Sequence, residues 1–125
     1  MRMNENVSSN LDFVKSKYKG TNEVKKDSKI ELYYPNSAIK RHLKDNTISL
    51  FVSLFGGCTV SECTGYYLND AGSIDYDNIS IIYSYSSIKH LAKIQNHAKM
   101  LCEELKQECI LLVIDNETYF IKGGI

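Results

Sequence analysis

Apolar positions alternate by two over 29–34, step by three and four over 39–55, and return to β-rich composition over 58–68 and 74–85. They step again through 91–105 and close in an unbroken apolar run at 109–114. Period two marks strands and the longer step marks helices, so the order reads strand, helix, strand, strand, helix, strand. In the first strand Ile30, Leu32 and Tyr34 alternate with Lys29, Glu31 and Tyr33, and Pro35 ends it because it has no N–H for a ladder. Leu43, Thr47, Leu50, Phe51, Leu54 and Phe55 keep helical spacing, so the first helix starts either near Ile39 or after Asp45, with Asn36 and Ser37 as candidate caps. Gly56-Gly57 stops it.

Strand two spans 58–68, a turn follows at Asn69–Ser73, and strand three spans 74–85. Within strand three Ile79, Ile81, Tyr83 and Tyr85 are expected to face the core. Asn78, Ser80, Ile82 and Ser84 are then left for water or a ligand. The second helix carries Leu91, Ile94, Ala98, Leu101 and Leu105 on one stripe, with Ser86 or Ser87 as its cap. Strand four, Cys109–Ile114, has no polar position on either face, and Asp115-Asn116-Glu117 returns the chain into a fifth strand at 118–121.

This order predicts an α+β, ferredoxin-like βαββαβ sandwich with an added C-terminal strand, two helices lying on one face of an antiparallel sheet. Residues 29–125 form a single domain, and residues 1–28 read as a mobile polar tail. The second apolar face of strand four needs a cover, which predicts a homodimer or higher oligomer, sheet against sheet.

Charge adds little to this picture. The 125 residues hold 15 basic and 15 acidic side chains, so no global field draws nucleic acid or an anionic membrane. No apolar run has the length of a membrane span, and MRMNENVSSN lacks the apolar middle of a signal peptide, which places the chain in the cytoplasm. Cys58, Cys63, Cys102 and Cys109 are then reduced thiols, and neither pair has the spacing of a structural metal site.

Four constellations bear on chemistry. Gly56-Gly57-Cys58-Thr59 resembles a phosphate cradle, but it follows a helix instead of opening one, and the dipole there has the wrong sign. Lys40, Arg41, His42 and Lys44 form a basic cluster suited to an anion such as a small nucleotide. Tyr66, Tyr67, Tyr83 and Tyr85 lie on the central hairpin, where tyrosines stack a base or simply fill a sheet. His42, His90, His97, Glu62 and Asp77 form no nucleophile–base pairing, and no serine sits in a nucleophile elbow. On these grounds the chain is expected to have no catalytic residue, no metal and no cofactor.

The pattern Gly56, Gly57, Thr59, then Gly65 and Tyr66, then Gln107, Glu108, Tyr119 and Phe120 resembles small α+β proteins of Firmicutes phages and mobile elements. In size, class and expected oligomerisation the chain is also similar to Thoeris anti-defence sponges. That resemblance implies a non-catalytic protein that sequesters a cyclic ADP-ribose-type signal and carries over no site; the ligand-binding candidates, Lys40, Arg41, His42, Lys44, Tyr66 and Tyr83, come from the basic cluster and the hairpin tyrosines. A protein-binding inhibitor or regulatory dimer, and an RNA-binding module using the sheet tyrosines, are the alternatives.

Overall fold

The computed structural model describes residues 28–36, 40–86 and 90–123. The expected N-terminal tail, and Ser37 and Ser87 as helix caps, lie outside the described residues. In chain order the elements are β1 (Ser28–Pro35), α1 (Arg41–Phe55), β2 (Thr59–Leu68), β3 (Ile74–Ser86), α2 (Leu91–Glu104), β4 (Ile110–Ile114) and β5 (Glu117–Ile121). The strands form one antiparallel sheet in the order β2-β3-β1-β4-β5. That is the expected α+β sandwich with the extra strand on the β4 edge, which makes the all-apolar β4 internal.

Register decides which face of the sheet is core. Leu32 pairs with Ile82 on one side and Leu112 on the other, and Ile30 pairs with Ser84 and Ile114. Those residues lie under the helices, with α1 over β3 and α2 over β4 and β5. Ile30, Leu32, Phe51, Ile82, Ile94, Leu101 and Leu112 are fully buried there. The face expected as the core side of β3 is therefore reversed. Ser80, Ile82 and Ser84 point at the helices, while Ile79, Ile81, Tyr83 and Tyr85 point the other way. The buried serines are tolerated because each has a partner. Ser80 Oγ lies 2.6 Å from Glu62 Oε1, and Ser84 Oγ donates to the Gly57 carbonyl at 2.7 Å.

Asn36 does not cap α1. Its amide donates to Glu62, and α1 begins after Lys40 without a side-chain cap. Ser86 belongs to β3, and α2 starts behind His90. Helix α2 ends in a Schellman arrangement, Gln107 N–H on the Cys102 carbonyl and Lys106 N–H on that of Glu103, with Lys106 left-handed at φ 53°. Asp115 and Asn116, at φ 50° and 70°, make the tight β4–β5 turn.

The two helices are joined by a polar contact inside the apolar layer. Thr47 Oγ1 donates to the Leu43 carbonyl at 2.7 Å, so its oxygen accepts from His97 Nε2 at 2.7 Å. Burial holds the His97 imidazole below its ordinary value. The folded state keeps this ring neutral while the unfolded chain protonates it, so stability is expected to fall as pH drops below about 6.5. Denaturant midpoints between pH 7.5 and 5.5 check this: His97→Gln is expected to flatten the slope over that range.

Candidate functional site

On the face away from the helices, the register sets Glu31 opposite Tyr83 and Thr59 on the far side of Tyr83. The chain leaves α1 through Gly56, whose left-handed φ of 86° lets its N–H close on the Val52 carbonyl at 2.8 Å. Gly57 and Cys58 then carry it over the end of the sheet into β2. Between this connection and the start of β2 lies a cleft of about 420 Å³, lined mostly by apolar groups of Phe55, Gly56, Gly57, Cys58, Thr59, Tyr83, Ser84 and Tyr85. Its volume falls within the roughly 300–1,000 Å³ typical of small-molecule sites.

Three features give the cleft its chemical character. The tyrosines stand edge to face, ring centroids 6.3 Å apart. Lys29 Nζ lies 4.6 Å from the centre of the Tyr83 ring and 5.9 Å from that of Tyr85, so these rings already attract a cation. Lys29 also pairs with Glu31 at 3.6 Å, which places one ammonium and one largely covered carboxylate beside the aromatic wall. Finally, the carboxyl end of α1 abuts the cleft, and no basic residue in its last turn offsets the negative end of the dipole. Burial pushes the Cys58 thiol up, in keeping with an apolar lining. The aromatic wall thus suits a flat ring, and the negative helix end disfavours phosphate.

Of the residues expected to bind a ligand, only Tyr83 lines this cleft. Arg41 and Lys44 lie at the opposite end of α1, lining a polar cleft of about 210 Å³ with Tyr34 and Asn36. There Lys44 Nζ meets Glu62 Oε1 at 3.1 Å, and the Ser80 hydroxyl, then Lys44, hold the Glu62 carboxyl below its ordinary range. Lys40 points to Glu104 at 3.5 Å and His42 is exposed. Tyr66 sits far out on the β2–β3 hairpin, its ring 6.2 Å from that of Tyr76. The sequence reading weighed Tyr85 among the hairpin tyrosines without choosing it as a ligand-binding residue, and it missed Phe55 in the lining and Lys29 and Glu31 beside Tyr83. For Lys29 and Glu31 the signal was the shared face of 29, 31 and 33, which only the β1–β3 register turns into a neighbourhood. Among the described residues no group of three His, Cys, Asp or Glu could hold a metal, and no helix is long and apolar enough to cross a membrane.

No family model and no curated protein matches the chain in sequence. Two solved structures match it in fold. A phage SAM lyase in complex with S-methyl-5′-thioadenosine has a TM-score of 0.59 and 18% identity, over 80% of this chain and 92% of that one. A phage SAM lyase in the apo state has a TM-score of 0.53 and 18% identity, over 78% and 89%. Both are structures of an enzyme. These neighbours contradict the expectation of a non-catalytic sponge, since the same fold is found in an enzyme, and the protein-binding and RNA-binding alternatives fit no better.

Proposed function

We propose that the chain binds S-adenosylmethionine in the cleft at the carboxyl end of α1 and cleaves it to S-methyl-5′-thioadenosine. The observation that carries this reading is the pairing of an aromatic, cation-attracting wall with the negative end of a helix, in a cleft of about 420 Å³. The fold shared with a phage SAM lyase supports it. A sulfonium nucleoside satisfies each feature. Its adenine has a face for Tyr83 or Tyr85, its sulfur is cationic, and it carries no phosphate for the helix end to repel.

The chemistry also accounts for the missing acid–base set. The substrate brings its own leaving group. If its carboxylate oxygen attacks Cγ, the C–O bond forms as the Cγ–S bond breaks, and the electron pair goes to sulfur. A neutral thioether and a four-carbon lactone result, with no proton transferred. The reaction annihilates a positive and a negative charge, so a poorly hydrated cleft accelerates it by removing the water that stabilises the separated charges. The chain's part is to orient the substrate and exclude water.

Self-association belongs to the same reading. The sheet face away from the helices presents Tyr33, Ile79, Leu111 and Phe120 around a shallow cleft of about 170 Å³, which supports the oligomer expected from β4. The reading is tested by titrating the protein with S-methyl-5′-thioadenosine in a calorimeter. Saturable binding that Tyr83→Leu weakens is expected. Absence of binding by folded protein at millimolar ligand would remove the assignment.

A further inference from the structure

The two helices meet along one seam, and the seam ends at the cleft. Lys40 pairs with Glu104 at 3.5 Å, His97 Nε2 lies 2.7 Å from Thr47 Oγ1, and the Phe55 and His90 rings stand 6.1 Å apart. Positions 40, 47 and 55 along α1 thus meet 104, 97 and 90 along α2 in antiparallel order, a contact about every two turns. Phe55 is the last residue of α1 and lines the cleft.

The middle contact is polar and sits inside the apolar layer. Thr47 is fully buried and gives its own proton to the Leu43 carbonyl, so the proton shared with His97 belongs to Nε2. One turn on from Thr47 comes Phe51, fully buried, whose ring meets Phe55 edge to face at 5.4 Å. A path of neighbours therefore runs from His97 through Thr47 and Phe51 to the wall of the cleft.

Helical spacing turns few charged or titratable groups toward this ring. On α1 they are Lys40 and Lys44, held by Glu104 and Glu62. On α2 they are His90, Lys93 and Glu104, and on the sheet Tyr34, whose hydroxyl donates to the Lys40 carbonyl. The carboxylate on the seam, Glu104, is two turns from His97 and engaged by Lys40. An imidazolium at this place therefore has to find water instead of a counter-charge. The ring is half-buried, so rotation brings it to solvent, and Thr47 keeps its bond to Leu43 when the ring leaves. Release strands no buried polar atom on α1. Burial holds the seated imidazole below its ordinary value, so a bound proton favours the released arrangement.

We propose that protonation of His97 unlatches α1 from α2 and shifts Phe55 at the cleft, so that the site is formed at neutral pH and loosened in acid. The consequence for ligand rests on the lyase reading, whereas the movement of Phe55 does not.

Backbone-amide NMR of the full chain between pH 7.5 and 5.5 tests the movement without ligand. It is done in a His90→Gln background, which silences the titratable ring that touches Phe55 directly. The Phe55 and Gly56 amides are expected to titrate with the His97 ring at one midpoint below about 6.5, with circular dichroism unchanged. Adding His97→Gln, whose amide also donates to Thr47, is expected to hold those amides still. Amides that ignore pH, amides that titrate alike with and without His97, or cooperative unfolding over the same range would each overturn the proposal. Calorimetry with S-methyl-5′-thioadenosine reads the cleft in the same two variants. Affinity is expected to fall about threefold or more from pH 7.5 to 5.5 with His97 present and to stay level without it. Equal falls in both would overturn the control of the cleft by His97. Absence of binding at either pH would count against the lyase reading, and the amide titration would still decide whether the latch exists.

Discussion

Replacing Phe51 by alanine is expected to remove about 3–5 kcal/mol of stability, the range for deleting a buried aromatic side chain. Phe51 is wholly inaccessible, and its ring meets Phe55 edge to face with centroids 5.4 Å apart. It anchors α1 to the sheet, so the loss combines vanished transfer energy with a cavity that the paired strands cannot collapse to fill. A domain of this size holds about 5–15 kcal/mol in total. The variant is therefore expected to be marginal at 37 °C, with its urea midpoint far below that of wild type. Phe51→Leu, which keeps most of the volume, is expected to lose less than half as much. Equal midpoints for Phe51→Ala and wild type would mean that α1 does not rest on this residue. Because Phe55 lines the candidate cleft and packs on Phe51, ligand binding is expected to weaken in the same variant.

Replacing Tyr83 by leucine is expected to lower S-adenosylmethionine cleavage by about ten- to thirty-fold, equivalent to the ~2 kcal/mol of a desolvated cation–π contact. Leucine keeps the wall apolar but removes the ring quadrupole that now attracts Lys29. Tyr83→Phe keeps the ring and is expected to stay within about three-fold of wild type. Rates should be measured alongside a thermal melt, since Tyr83 also pairs with Glu31 and Thr59 in the sheet. A leucine variant with the wild-type rate, or a phenylalanine variant as poor as leucine, would remove the aromatic face from the mechanism.

The architecture was legible because local and global signals agreed. Alternation in β1, the stripe Leu91–Leu105 and the all-apolar β4 each imply one partner layer, and only one arrangement satisfies all of them. The facing of β3 was not legible. Ile79 and Ile81 are more apolar than Ser80 and Ser84, so the pattern favoured the wrong side. What reversed it was register: Leu32 needs Ile82 as its neighbour, and Glu62 and the Gly57 carbonyl satisfy the buried serines from other elements.

The site was legible only in fragments. Tyr83 stood out as an aromatic strand residue, and Gly56-Gly57 stood out as a helix end whose dipole repels phosphate. That second inference excluded one ligand class without naming the class it admits. Lys29 and Glu31 join Tyr83 only through the β1–β3 pairing, some fifty positions away in sequence. The expectation of no enzyme rested on the absence of an acid–base set, which a substrate with a built-in leaving group does not require.

The most direct measurement is to incubate purified protein with S-adenosylmethionine and follow the products by liquid chromatography and mass spectrometry against a protein-free blank. Accumulation of S-methyl-5′-thioadenosine with a matching four-carbon product, faster with wild type than with Tyr83→Leu, is the expected result. Folded protein that leaves S-adenosylmethionine decaying at the blank rate would contradict a lyase site in this cleft.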